Sequence, residues 1–160
     1  MSANFTLRPI GRVSSRRVEL TDDDWGAVTA QITLEDWLGP DALLGLGDFS
    51  HAEILFIFDQ VPEEKIELAA RHPRNNKAWP EIGIFAQRGK NRPNRLGLTT
   101  VEIVRVEGRV LTVRGLDAVD GTPVVDIKPV MREFLPRSTV RQPLWVQELM
   151  RDYWTGTEKR

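Results

Sequence analysis

The chain has 160 residues, of which 41% are hydrophobic and 28% charged, and a net charge of −1. That length fits one domain with a sizeable core and leaves no room for a second large one. The absence of cysteine excludes disulfides, a thiolate nucleophile and a cysteine-ligated zinc; no apolar run reaches bilayer-spanning length, and the opening stretch lacks the apolar core of a secretion signal, so a cytoplasmic setting is expected.

In chain order, residues 6–14 and 30–34 carry the pattern of strands. Residues 40–46 begin at Pro40 and are followed by Gly47, the signature of a short helix. Residues 52–58 (AEILFIF) are a near-continuous apolar run of strand length, which predicts a central strand buried on both faces. Residues 82–87 predict another strand. Residues 99–106 alternate, turn at Glu107-Gly108 and return over 110–116, the strongest hairpin signal in the chain. A further strand over 122–127 follows an Asp-Gly turn. Residues 144–154 place Trp145, Leu149 and Tyr153 on one helical stripe, and 155–160 are expected to fray. Many short strands and few helices predict a mainly β chain. It should form a single small barrel over 1–160, closed or nearly so, with a C-terminal helix at about 142–154.

This layout excludes a doubly wound nucleotide-binding sheet, which needs long helices and a glycine-rich first turn. Gly45-Leu46-Gly47 is the only partial match, with Ser50 where the last glycine should stand, and no phosphate-binding Gly-Lys-Ser/Thr loop occurs. Any nucleotide-like ligand must be held in another way. The charge is also polarised. Residues 18–59 hold ten acidic residues and no Lys or Arg, whereas residues 71–95 hold seven basic residues against Glu81 alone. Such blocks point to an anionic partner at one surface, or else to two blocks that are merely solvated or face each other.

Two polar loops set against strands concentrate the chemistry, as binding loops do. The first, within residues 83–98, carries Arg88, Lys90, Arg92, Asn94 and Arg95, with Pro93 and Gly97 setting its turns. Arginine forks there suit carboxylate, phosphate or base edges. The second, within residues 114–129, carries Asp117, Asp120 and Asp126. Grouped carboxylates can hold a divalent metal, but the spacing is no EF-hand and alternating Val and Ile favour strand and turn, so no metal site is expected. His51 and Glu53 fall on one face of a strand without making a ligand set. Trp79, amid basic residues, could stack on a base.

These stretches together resemble the TrmO family (also called YaeB or TsaA-like), tRNA methyltransferases that use S-adenosylmethionine. The likeness runs from Ile10-Gly11-Arg12-Val13 through Ala42-Leu43-Leu44-Gly45-Leu46, Phe49-Ser50-His51 and the strand at 55–58. It continues through His72-Pro73-Arg74, Gly83-Ile84-Phe85-Ala86 with Arg88, Arg92-Pro93-Asn94 and Gly97-Leu98. It ends with Leu116-Asp117, Asp120-Gly121-Thr122-Pro123-Val124 and Asp126-Ile127-Lys128-Pro129. The resemblance implies a small β-barrel methyltransferase, active as a homodimer, that methylates the modified nitrogen of threonylcarbamoyl-adenosine beside the tRNA anticodon. By motif it carries cofactor contacts to Gln60, Val61, Arg88, Leu98, Arg114, Gly115, Leu116 and Asp117. RNA contacts would fall on Arg88, Lys90, Arg92 and Arg95.

Departures from the family pattern are clear. Gly89, Lys90 and Arg95 replace the usual Ser and the prolines around Arg92-Pro93-Asn94, and acidic Thr21–Trp25 stands where the family has a Pro-Arg loop. The C-terminal domain of longer members is not expected here. Methyl transfer needs alignment more than covalent chemistry, and a delocalised acceptor nitrogen must lose its proton. Asn94 and Asp120 are therefore read as catalytic, orienting the acceptor, with Arg88 and Arg92 holding its carboxylate or neighbouring phosphates. Two other readings stand beside this one: a methyltransferase of a small-molecule acceptor, and a non-catalytic RNA-binding module.

Overall fold

Period-two alternation in the sequence becomes the inside and outside of a closed wall. The computed structural model describes residues 2–156. Its eight strands are β1 (Gly11–Ser15), β2 (Thr29–Leu34), β3 (His51–Ile57), β4 (Ala70–Arg71), β5 (Ile82–Gly83), β6 (Leu96–Glu107), β7 (Val110–Arg114) and β8 (Pro123–Pro129). Six of them close a barrel in the order β1-β2-β7-β6-β3-β8, and β8 returns to β1 by pairing Val124 with Gly11. All pairs are antiparallel. The short β4 and β5 form a ladder of their own. The mainly β, barrel-closed architecture expected from the sequence is the one that forms, and closure removes the exposed edges of the main sheet.

Burial alternates along β1, β2, β3 and the first half of β6. Ile32, Ile54, Leu111, Val113 and Val124 are fully buried at 0% exposure, and Phe56 at 1%. Strand β3 corrects one expectation. Ala52, Ile54 and Phe56 point inward, but Glu53, Leu55 and Ile57 are only half-buried, because a barrel has a single dry face. Two register shifts, at Leu55/Phe56 and Ile103/Arg105, mark bulges that let the wall bend.

Other elements differ in extent. The first strand is Gly11–Ser15 rather than 6–14. Residues 82–87 give only the two-residue β5 and then a 3-10 turn at Ile84–Ala86. The predicted helix at 40–46 is a 3-10 turn, Pro40–Leu43, followed by Gly45 at φ 84, so Gly45 and not Gly47 reverses the chain. The C-terminal helix α1 is short, Leu144–Leu149, and turns cover the rest of 142–154. Of the stretch expected to fray, Thr155 is instead bonded to the Asp24 side chain; 157–160 lie outside the described residues.

Gly97 explains how β3 and β6 approach so closely. It faces Phe56 across the ladder, and a Cβ at that position would stand 2.5 Å from the Phe56 ring. The ring is held edge-on against Phe58, with centroids 5.1 Å apart. Gly97→Ala should therefore cost about 1–3 kcal/mol of unfolding free energy, as overpacked cores do. Gly39→Ala serves as control, since an added Cβ there meets nothing within 4 Å. Denaturant unfolding followed by tryptophan fluorescence checks both, and equal midpoints for the two variants would refute the packing argument.

Candidate active site

Antiparallel closure decides where loops go. Strands β1, β3 and β7 end at the same rim, and β2, β6 and β8 begin there. The long connections β1–β2, β3–β6 and β7–β8 thus converge on one mouth, and a cavity of about 380 Å³ opens between them. That volume lies within the roughly 300–1,000 Å³ usual for small-molecule sites. Trp25, Phe56, Phe58 and Tyr153 supply aromatic faces. Four cationic side chains (Arg71, Arg74, Arg88, Lys90) and three carboxylates (Asp22, Asp59, Asp117) also line it.

The acidic and basic blocks meet here, within one chain. Arg74 Nη2 lies 2.8 Å from Asp23 Oδ1, and Arg74 Nε lies 3.8 Å from Asp22. This tie holds two turns in the left-handed region, where φ is 66° at Asp24, 50° at Arg74 and 57° at Asn75. Such backbone persists where surrounding contacts over-determine it, and it concentrates at functional sites. Arg17 reinforces the same turn: it stacks 4.0 Å over the Trp25 ring and donates to the carbonyls of Asp23 and Asp24, each at 2.9 Å.

The last wall comes from the C-terminus. After β8 the chain leaves the opposite rim, where the Val130 amide bonds to the His51 carbonyl. It runs exposed over residues 131–144 and returns beside the mouth. There the Asp24 and Trp25 amides donate to the carbonyls of Asp152 and Tyr153, at 3.0 and 2.8 Å. Trp79 Nε1 donates to Glu148 at 2.8 Å, so Trp79 is tied to this segment. Leu149, Met150 and Tyr153 face the cavity. The Tyr153 hydroxyl donates to one oxygen of Asp117, and the Thr99 hydroxyl donates to the other. Asp117 is therefore a fixed carboxylate at the cavity wall.

Of the positions read as cofactor contacts, Gln60, Val61, Arg88 and Asp117 line the cavity. Leu98 lies outside it on β6, and its carbonyl accepts from Arg88. Arg114 pairs with Glu102 at 3.1 Å on the outer face of β7. Gly115 makes the turn at φ 82, and Leu116 is fully buried in the core. In the basic loop Lys90 lines the cavity. Arg92 donates to the Gln87 carbonyl at 2.8 Å, and Arg95 to the Val61 carbonyl at 2.8 Å. These two forks close an irregular loop whose carbonyls lack sheet partners. Asn94 is exposed outside the cavity. Asp120 is outside it too, its Oδ1 accepting from the Ser15 amide at 2.9 Å. The third carboxylate of that loop, Asp126, pairs with Lys128 at 2.9 Å. The three aspartates thus go to three different partners.

Sequence reasoning missed Arg71, Asp22, Trp25 and Tyr153 as wall residues. For Asp22 and Arg74 a signal existed, the opposite charge of their blocks. Tyr153 gave none, because a helical stripe of Trp145, Leu149 and Tyr153 reads as packing.

Tyr153 is the only tyrosine in the chain, so its ionisation can be read directly. Burial first, then the charge of Asp117 and the hydrogen bond to it, hold its hydroxyl far above the ordinary value, and the site keeps it protonated as a donor. Tyrosinate absorbance of the native protein should stay flat well past the ordinary value of about 10 and appear near that value in denaturant. Asp117→Asn should lower the native titration only part of the way, because burial remains. The stability linked to this proton is complete below about pH 10 and is lost as pH rises beyond it. Native titration at the ordinary value would refute the buried pairing.

Comparison with known proteins follows the same outline. The family model described as the tRNA-methyltransferase O N-terminal domain matches residues 23–134. The chain is 39% identical over 103 residues to a human tRNA (adenine(37)-N6)-methyltransferase, covering 64% of this chain and 23% of that protein. It is 43% identical over 95 residues to the Escherichia coli protein of the same description, covering 57% and 40%. A "Probable S-adenosyl-L-methionine-binding protein" of Archaeoglobus fulgidus is 35% identical over 126 residues, covering 77% and 33%. The chain thus spans well under two thirds of these relatives. A crystal structure of TrmO superposes with TM-score 0.73 at 29% identity, covering 88% of this chain and 64% of that one. TrmO from Pseudomonas aeruginosa superposes with TM-score 0.72 at 27% identity, covering 91% and 63%. Barrel, rim loops and matched sequence agree: this chain belongs to the TrmO N-terminal domain family.

Proposed function

We propose that the rim cavity binds S-adenosylmethionine and that the chain methylates the N6 nitrogen of a modified adenine beside the tRNA anticodon, in the cytoplasm. One observation carries this reading. A cavity of about 380 Å³ is walled by aromatic rings and by a carboxylate fixed between Thr99 and Tyr153; Asp117 and the β3–β6 loop lie inside the family match, and the C-terminal segment beyond it adds Tyr153. The donor set suits a nucleoside with a charged tail. Asp117 can accept from hydroxyl or amino groups, Phe58 offers a ring face, and Gln60 and Arg88 line the cavity. Bound there, S-adenosylmethionine supplies a methyl group on a positively charged sulfur, open to attack by a nucleophile.

The protein's share is alignment and exclusion of water. The aromatic wall and the C-terminal segment shield the cavity. Arg74 is neutralised by Asp22 and Asp23 and serves structure, while Arg88 and Lys90 leave positive charge at the mouth for RNA phosphates. Asn94 and Asp120 sit on loops whose neighbours line the cavity, and in this reading they orient the acceptor as its nitrogen loses a proton. Asn94→Ala or Asp120→Asn should slow transfer on the order of a hundredfold, the cost of misplacing reacting groups, with cofactor affinity kept.

The deciding experiment incubates purified protein and labelled S-adenosylmethionine with total tRNA and, separately, with a metabolite extract. Label in a modified adenosine of tRNA supports the reading. Labelled small molecules beside unlabelled tRNA would favour the small-molecule acceptor instead. Salt-sensitive RNA binding with no transfer to either would leave only a binding module.

A homodimer is part of this proposal. The acidic and basic blocks are already joined in part within the chain, so the support comes from the exposed apolar side chains of Met131, Phe134, Leu135 and Val140 along the C-terminal arm. Sedimentation at micromolar concentration should give a dimer that Phe134→Glu dissociates. A wild-type monomer would count against it.

A further inference from the structure

We infer that Arg71 is a carboxylate clamp for the amino-acid tail of the methyl donor, an inference that rests on the cavity being the donor site. Arg71 lies on β4, where pairing with Ile82 and the 3.1 Å bond from Gln87 Nε2 to its own carbonyl fix its backbone. Its side chain enters the cavity wall. The Nε atom is buried there without any hydrogen-bond partner, and no carboxylate pairs with the guanidinium among the described residues.

The other wall cations are accounted for differently. Arg74 is paired with Asp22 and Asp23, Arg88 donates to the Leu98 carbonyl, and Lys90 is a point charge without a fork. Of the cavity's carboxylates, Asp22 is engaged with Arg74 and Asp117 with Thr99 and Tyr153, while Asp59 makes no ion pair with Arg71 or any other cation among the described residues. The Arg71 fork therefore remains without a protein carboxylate, and its Nε is a buried donor left unsatisfied. A buried charged donor left unpaired is costly, so it is kept where a ligand completes it. The geometry of a guanidinium matches a carboxylate through two parallel hydrogen bonds. The donor molecule has one anionic group, the carboxylate of its methionine part. The end of Arg71 also reaches the basic loop, for a Cβ on Gly89 would lie 3.5 Å from Nη2. The clamp thus links β4 to the loop that carries Arg88 and Lys90.

The test compares two ligands on the intact chain by calorimetry: S-adenosylmethionine, and methylthioadenosine, which keeps the nucleoside but lacks the amino-acid tail. Arg71→Met preserves the aliphatic stem and removes the fork. It should weaken S-adenosylmethionine about 10- to 100-fold, the range for a lost charge-assisted pair, and leave methylthioadenosine affinity unchanged. Arg71→Lys should recover only part of the loss, since a single ammonium cannot bond both carboxylate oxygens in the same plane. Equal weakening of both ligands would make Arg71 a structural residue and overturn the clamp. Unchanged S-adenosylmethionine affinity would overturn it as well and move the carboxylate partner to the acceptor. A wild-type protein that binds neither compound would sink the donor-site reading, and the clamp with it.

Discussion

Everything functional in this chain depends on the closure of six antiparallel strands, through the pairing of β8 with β1. An antiparallel barrel sends its connections alternately to two rims. Because the chain order around the wall is β1-β2-β7-β6-β3-β8, the β1–β2, β3–β6 and β7–β8 connections share one rim, and the β2–β3 connection and the tight β6–β7 turn take the other. Loops that are far apart in sequence are thereby forced to line a common mouth. The dry interior supplies the rigidity beneath them, with Ile32, Ile54 and Leu111 fully buried. A mobile scaffold could not hold Asp117 between two hydroxyl donors.

The rim is held together by polar bonds added to the burial of Trp25, Val61 and Val119. Arg74 binds the β1–β2 loop to the turn after β4 through Asp22 and Asp23. The C-terminal segment binds the same loop through backbone bonds to Asp24 and Trp25, and reaches across to Asp117 through Tyr153. Arg74 and Asp23 are half-buried whereas the Asp22 side chain is largely exposed, so the Arg74–Asp23 bond is the stronger of the two ion pairs. Residues 135–156 fall beyond the stretch matched by the family model, yet Leu149, Met150 and Tyr153 complete the cavity.

The basic loop shows how one residue type serves two purposes. Arginine carries five donors in a planar fork. In a loop with few sheet partners, Arg92 and Arg95 spend donors on backbone carbonyls and so shape the turn. Arg88 does the same toward Leu98 while still bordering the cavity. A cluster of arginines in a sequence thus states a capacity for anions, and only the folded loop divides that capacity between ligand and scaffold.

Strand periodicity, the Gly108 hairpin, the barrel class and the family were legible in the sequence alone, because each rests on local alternation, turn chemistry or ordered motifs. The two rim loops were legible for the same reason; the family resemblance, not the pattern, singled out Gln60, Arg88 and Asp117, which line the cavity. The lengths of β5 and α1 were not legible, since apolar spacing is identical in a short turn that is pinned from outside and in a longer regular element. Tertiary structure alone decided that Asp120 braces Ser15 while Asp117 faces the cavity, that the charge blocks meet through Arg74, and that Tyr153 closes the site. Those contacts join residues separated by 105, 51 and 36 positions. No local pattern encodes such partners; they meet only because the barrel closes and its connections have nowhere else to go.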